Sequence, residues 1–218
     1  MRKENRSVGA TTWTELRDSL AHHVPRELAE TVATRAGVSL LLRDGEYGIE
    51  LLFIHRAEDP RDPWSGQMAF PGGREEPDDL DLRATALRET VEEVGLDTSF
   101  AEDLGALDEL LAVSRRGAES LSITPFAFRI PKPEHGQLTP NEEVQSLHWL
   151  PLDALFGDSL RSEIDYPHRG RSLRFPCFRI GERVIWGLTY RIFTNLQALV
   201  ESTRSRGRPG VREPASGA

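Results

Sequence analysis

The sequence holds a single cysteine, Cys177, in 218 residues. That excludes an internal disulfide and any zinc site built from several thiolates, and it fits a reducing compartment. Long apolar runs are also missing. The stretches Val38–Leu42 and Leu51–Ile54 fall far short of the roughly 20 residues a membrane-spanning helix needs. The amino-terminal MRKENRSVGATTW carries charge with no apolar segment behind it, so it does not read as a secretory signal, and a cytoplasmic location is expected. Glycine and proline, 18 and 14 residues, are too ordinary a share for a collagen-like or disordered chain. Positive charge is in short supply, with 27 Lys and Arg against 35 Asp and Glu and a formal net charge of −8. Such a balance repels a nucleic-acid backbone, and neither nucleic acid nor membrane is expected as a partner.

What is present, 38% hydrophobic and 28% charged residues, suits one globular domain with a real core. Trp13–Leu20 and Glu27–Arg35 read as two opening helices separated by Pro25. From Gly37 the chain turns β-rich, with strands expected at Val38–Leu42 and Ile49–His55 around the hairpin dipeptide Asp44-Gly45. A polar loop dense in Pro, Asp, Gly and Trp, Glu58–Arg74, is too long for a mere connector. Leu80, Ala84, Leu87, Val91 and Val94 recur at helical spacing, and Gly95 stands where a C-cap glycine belongs. Leu104–Val113, Leu121–Ile130 and His148–Leu150 read as strands, the second interrupted by Pro125, and Val184–Val200 as a short strand and a helix. Strands and helices mix without βαβ rhythm or internal repeat, which predicts an α+β layered fold. Residues 1–36 are expected as a helical extension and 37–201 as the domain. Residues 202–218, with Arg204, Arg206, Arg208 and Arg212 against Glu213, are expected as a disordered basic tail.

The chemistry concentrates on the helix. At about 100° per residue, Glu89, Glu92 and Glu93 fall opposite the apolar stripe. Arg88 and Glu92 stand at i,i+4 as an ion pair, but Glu89 and Glu93 at the same spacing are like-charged and cost helix stability unless something neutralises them. A solvated acidic face and a cation site both fit that pattern. Carboxylates without His or Cys partners suit Mg²⁺ or Mn²⁺ rather than zinc.

The run from Gly73 to Glu93, GREEPDDLDLRATALRETVEE followed by Val94-Gly95-Leu96, resembles the signature of the Nudix hydrolases. That signature is Gly, five residues, Glu, seven residues, then Arg-Glu-apolar-x-Glu-Glu-x-Gly-apolar. Gly73, Arg88, Glu89, Glu92, Glu93, Gly95 and Leu96 match it. Thr90 takes the apolar position, and Asp79 stands near the first Glu with eight residues, not seven, before Arg88. Ahead of this box, HRAEDPRDPWSGQMAFPGG is similar to the stretch that marks coenzyme A pyrophosphohydrolases, through Arg56, Ala57, Arg61, Gly66, Phe70, Pro71, Gly72 and Gly73. It departs by Phe53 and Ile54 for Leu and Thr, and by one extra residue before Gly66. Ile123-Thr124-Pro125-Phe126, Asn141-Glu142-Glu143-Val144 and Ile185-Trp186-Gly187-Leu188-Thr189 extend the likeness over most of the body.

The resemblance implies a Nudix-type α/β/α sandwich with a mixed sheet, and metal-dependent cleavage of a nucleoside diphosphate linked to another group. Coenzyme A or its thioesters is the first substrate class. ADP-ribose, nucleotide sugars or dinucleoside polyphosphates are the alternative, and a non-catalytic ligand sensor on the same fold is another. By the same resemblance Glu89 and Glu93 hold Mg²⁺ or Mn²⁺, with Glu92 and the Gly73 carbonyl in support, and Arg88 orients a carboxylate. Glu89 or Glu143 is the general base. Arg56 and Arg61 suit bidentate phosphate contact and equally a structural surface role. Trp64 is placed to stack on a base, close the cleft or anchor the loop. Many family members are homodimers, so a dimer is one expectation here.

Overall fold

The computed structural model describes residues 10–28, 32, 34–60, 64–113, 120–130, 138–168 and 170–207. Helix α1, Trp13–Ala21, opens on a capping box in which the Thr12 hydroxyl accepts from the Glu15 amide and Glu15 reaches back to the Thr12 amide, satisfying two otherwise orphaned donors. The second opening helix expected over Glu27–Arg35 is absent from the described residues there, and Thr34 already begins strand β1, Thr34–Gly45. The reason is pairing. Thr34–Leu42 runs parallel to β7, Ser120–Arg129, from Thr34↔Leu121 onward, and that ladder outweighs local helix propensity.

Strand β2, Gly48–Arg56, pairs back onto β1 with Gly45 opposite Gly48. The hairpin therefore turns on Glu46-Tyr47 rather than on Asp44-Gly45, and Gly48 takes the positive φ of 116° that closes it. The long loop carries two short strands, β3 (Met68–Ala69) against β2 and β4 (Gly72–Arg74) against β1. Helix α2, Leu82–Val94, follows, ending on Gly95 in left-handed conformation at φ 66°.

Leu104–Val113, expected as one strand, is two: β5 (Glu102–Ala106) and β6 (Leu110–Val113). Both pair with β7, leaving Thr124 and Pro125 without a partner on that side. Pro125 has no N–H, and its carbonyl accepts instead from the Leu107 amide at 2.9 Å, so the break lies where a ladder bond is impossible. Strand β8, Val144–Pro151, pairs with β2 and runs into the short α3, Leu152–Phe156. A separate antiparallel sheet, β9 (Arg161–His168), β10 (Arg171–Ile180) and β11 (Arg183–Trp186), leads into α4, Gly187–Gly207. No helix among the described residues is long and apolar enough to cross a membrane.

The main sheet is mixed, in the order β3-β2-β1-β7-β5, with β1 and β7 its parallel pair. Its two faces bury two cores. One, with Leu41, Leu52, Ile54, Phe126 and Phe128, lies under Leu82, Ala86 and Val94 of α2. The other, with Leu40, Leu42, Leu51 and Phe53, receives Leu16 and Leu20 of α1, Phe178 and Ile185 of the small sheet, and Ile192, Phe193, Leu196 and Val200 of α4. This is an α/β/α sandwich. The basic tail expected from Ser202 starts six residues too early, because α4 continues through Gly207. Arg204 holds that last turn by donating to Glu15 at 2.9 Å and to the Thr11 hydroxyl at 2.9 Å. The remainder, 208–218, lies outside the described residues.

Candidate active site

Helix α2 seats closely on β1 because the contact residues are small. A Cβ on Gly37 would collide with the Leu82 carbonyl. Two residues on, the Ser39 hydroxyl donates to the Ala86 carbonyl at 2.9 Å and accepts from Thr90 at 2.9 Å. Leu82, Thr85, Ala86, Thr90, Glu93 and Val94 are the buried face, which keeps Val94 and, partly buried, Leu87 of the expected stripe but not Leu80 or Val91. Leu80, which stands before the Asp81 cap, is 96% and Val91 46% exposed; over Gly37 and Ser39 the seat takes the small Ala86 and Thr90.

That rotation decides where the carboxylates go. Glu93, expected on the solvent side, is 2% exposed; one carboxylate oxygen accepts from the Gly72 amide at 2.9 Å, and the other lies 3.4 Å from the Arg56 guanidinium. Burial pushes its pKa up to about 7 against the pull of the Gly72 amide and Arg56, with the charges of Glu89 and Glu143 adding to the rise. Glu89 is half-buried and lies over Gly73, where any Cβ would strike its carboxylate. Its pKa is also raised, by burial first, against Arg88. Glu92 points outward and is about half exposed.

Arg88 ties this group together. Its guanidinium makes two bonds to Asp79, at 3.0 and 3.1 Å, one to the Arg74 carbonyl at 3.1 Å, and reaches both Glu89 and Glu92 at 3.1 Å from one nitrogen. Asp79 is almost buried, takes a further bond from Thr85 at 2.8 Å, and is held well below the usual carboxylate range by Arg88. The displaced acid of the signature is thus the anchor of Arg88, a role its irregular spacing concealed. Glu143 sits in the loop before β8. The Asn141 amide donates to the Glu93 carbonyl at 3.0 Å, the Asn141 side chain accepts from the Glu143 amide at 2.9 Å, and the Ala57 amide donates to the Glu143 carbonyl at 2.8 Å. This brings the charge of Glu143 within range of Glu89 and Glu93. Sequence spacing gave no sign of Asn141 or the Gly72 amide as the parts that position these glutamates.

Among the described residues no three His, Cys, Asp or Glu side chains converge tightly enough to hold a metal ion as they stand. The donor set still fits a hard cation. It is all oxygen, the charge of Glu89 raises the proton affinity of Glu93 and that of Glu143 raises both, and the missing Cβ of Gly73 leaves the Glu89 carboxylate against bare backbone.

On the far side of β4 lies a cavity of about 790 Å³, bordered by Arg56, Gly72, Gly73 and Trp64 and walled by Phe175 and Trp186 of the small sheet. Trp64 is half-buried and packs on the core, and Trp186 lines the cavity rather than belonging wholly to the core. Arg56 pairs with Glu93, whereas Arg61 lies outside the described residues.

Residues 33–171 match the model of the NUDIX domain. The chain is 34% identical over 148 residues to the uncharacterized Nudix hydrolase NudL of Yersinia pestis (strain Pestoides F), covering 67% of this chain and 70% of that protein. Among solved structures it is similar to RenU, a Nudix hydrolase from M. smegmatis, with TM-score 0.50, 18% identity and coverage of 80% and 88% of the two chains. It is also similar to a MutT/nudix family protein from Enterococcus faecalis, with TM-score 0.50, 16% identity and coverage of 88% and 76%. At such identities the structures speak for the fold, and the sequence match speaks for the family: the chain belongs to the Nudix hydrolases.

Proposed function

We propose that this protein is a Mg²⁺- or Mn²⁺-dependent pyrophosphohydrolase that cleaves coenzyme A or its thioesters to 3′,5′-ADP and a 4′-phosphopantetheine product. The observation that carries the reading is the burial of Glu93 against a glycine strand, under the charges of Glu89 and Glu143, with a substrate-sized cavity behind that strand. A pyrophosphate is a polyanion, so such a site accepts it only with divalent cations between the two. Glu89 and Glu93 would hold the metal, with the Gly73 carbonyl beside them and Glu92 supporting from the solvent side. When bound, the metal supplies charge neutralisation and acidifies water.

The chain's own groups do the rest. The Gly72 amide fixes one oxygen of Glu93. Arg88, clamped by Asp79, orients Glu89 and Glu92. Glu89 or Glu143 takes the proton from the attacking water, and Arg56 stands between Glu93 and the cavity as a phosphate partner. Substitution of the true base by Gln lowers kcat by at least about tenfold at unchanged KM. The deciding experiment is chromatographic product analysis with coenzyme A and Mg²⁺, using Glu93→Gln as the blank. 3′,5′-ADP from the wild type alone is the expected result, and no cleavage of coenzyme A overturns the substrate assignment.

A further inference from the structure

Every charged side chain lining the cavity behind β4 is an arginine. Arg56, Arg74 and Arg191 border it, and among the described residues no Asp or Glu does, although acidic residues outnumber basic ones 35 to 27 in the chain. Such a lining draws anions to a molecule that otherwise repels them. The three stand on two banks. Arg56 lies 3.4 Å from Glu93, and Arg74 follows Gly73 on β4, so both flank the carboxylates. Arg74 is in register with Ala36, Ala36 with Ile123, and Ile123 with Leu110, which sets β6 three inter-strand spacings, roughly 14 Å, from β4. Arg191, exposed on α4, is anchored at that far edge. It donates to the Leu111 carbonyl at 3.5 Å and makes no ion pair among the described residues, so most of its donors are open.

Between the banks lie a floor of Val38, Ala112, Leu121 and Ile123 and a wall of Phe175 and Trp186, their rings 5.9 Å apart. Thr189 and Tyr190 are engaged, by the Met68 carbonyl and by Arg161, whereas the Gln67 side-chain amide has no partner among the described residues. A flat base suits that arrangement, its face against the apolar surface and its edge matched to an amide that both donates and accepts. A diphosphate at the carboxylates is met by Arg56 and Arg74, which leaves Arg191 on the opposite bank as a charge it does not use. We propose that Arg191 binds a phosphomonoester carried on the nucleoside, apart from the diphosphate, and so selects substrates with a third phosphate. This deepens the pyrophosphohydrolase reading and rests on it. The contact survives cleavage, so the bisphosphorylated nucleotide is also held as a product inhibitor, more tightly than a monophosphate.

The test uses the full chain with Mg²⁺ and two pairs of substrates that differ only in the phosphomonoester: coenzyme A against dephospho-coenzyme A, where it is 3′, and NADP⁺ against NAD⁺, where it is 2′. In at least one pair the phosphorylated member is expected to have kcat/KM roughly tenfold to a hundredfold higher, the ordinary worth of a charged hydrogen bond. The pair that discriminates tells which ring position is read, and either outcome supports the subsite. Arg191→Gln, which keeps a donor for the Leu111 carbonyl, should reduce that ratio at least about fivefold. A purely structural Arg191 would instead lower both members together. Ratios near one in the wild type, or a ratio that Arg191→Gln leaves unchanged, overturn the proposal and leave pyrophosphate cleavage standing. If neither pair is cleaved, the catalytic reading fails by itself, and calorimetric binding in EDTA decides the subsite. Adenosine 3′,5′- or 2′,5′-bisphosphate binding at least about tenfold tighter than AMP to the wild type, but not to Arg191→Gln, supports it. Equal affinities for bisphosphates and AMP overturn it.

Discussion

Glu93 is a carboxylate whose surroundings favour its protonated form. With a folded-state pKa of about 7 against an ordinary 4.5, the metal-free protein binds a proton that the unfolded chain releases between those values. Its contribution to stability is therefore fullest below pH 4.5 and is lost as pH rises to about 7. Glu93→Gln stays neutral throughout. Measured against that variant by urea unfolding in EDTA, the wild type should lose on the order of 3 kcal/mol between about pH 4.5 and pH 8, and Mg²⁺ should restore it at the upper end. Parallel pH curves for the two proteins would remove the buried-charge account. Asp79 acts one step further from the chemistry. It takes two of Arg88's bonds and is held ionised by them, so Asp79→Asn leaves the guanidinium free to collapse onto Glu89 and Glu92. A loss of about ten- to a hundredfold in Mg²⁺ affinity or kcat is expected, as for other residues that orient metal ligands. A Mg²⁺ titration of activity measures it, and Arg88→Lys, lacking the two-pronged geometry, should resemble it.

At the scale of elements, α2 works as a lever whose seat sets the angle of its glutamates. Gly37→Ala pushes a methyl into the Leu82 carbonyl, and backbone cannot turn aside as a side chain can. It should cost about 1–3 kcal/mol and, by shifting Glu89 and Glu93, depress kcat up to about a hundredfold. Gly45→Ala is the contrast. Its obstacle is the Glu50 side chain, which Arg43 holds at 2.8 and 2.9 Å. Moving it aside loosens that pair at a cost of about 1–2 kcal/mol but leaves the α2 seat alone, so turnover should stay normal; an equal loss of kcat in the two variants would show that the seat is unimportant. The same helix marks how far sequence reading reaches. Its existence, its end at Gly95 and the spacing of Arg88, Glu89, Glu92 and Glu93 were legible, because they are local. Its buried face was not, since Thr85, Ala86 and Thr90 win by fitting over Gly37 and Ser39 rather than by hydrophobicity. The β9–β10 hairpin escaped for a different reason. Strand β9 does alternate, with Arg161, Glu163 and Asp165 exposed and Ile164 and Tyr166 half-buried between them. Pro167 and Pro176 interrupt the two runs, however, and Arg171–Arg174 are exposed throughout, so the period-2 signal is too short to stand out.

At the scale of the molecule, the first and last helices hold each other. Thr11 donates to Asp153 at the start of α3, and Arg204 in the last turn of α4 reaches both Thr11 and Glu15. Composition alone made residues 202–207 a solvated tail, because their stabilising partners lie nearly two hundred positions away. Arg204 is 16% exposed and Glu15 31%, so this is a sheltered pair with charge-assisted bonds rather than a screened surface one. Glu15 is partly desolvated, which opposes ionisation, yet the bonds from Arg204 and Thr12 lower its pKa overall. Its contribution is therefore present above its ordinary 4.5 and fades as pH falls below that value. Arg204→Ala should cost about 1–3 kcal/mol at neutral pH, a fall in Tm of roughly 2–10 °C for a chain of this size, and the difference from wild type should shrink as the solution is acidified below about pH 4. Turnover at 25 °C should be unaffected, since the pair is remote from Glu89 and Glu93. An unchanged Tm at neutral pH would mean that α4 docks through Ile192, Phe193, Leu196 and Val200 alone, and that the amino-terminal helix is held by its own apolar face.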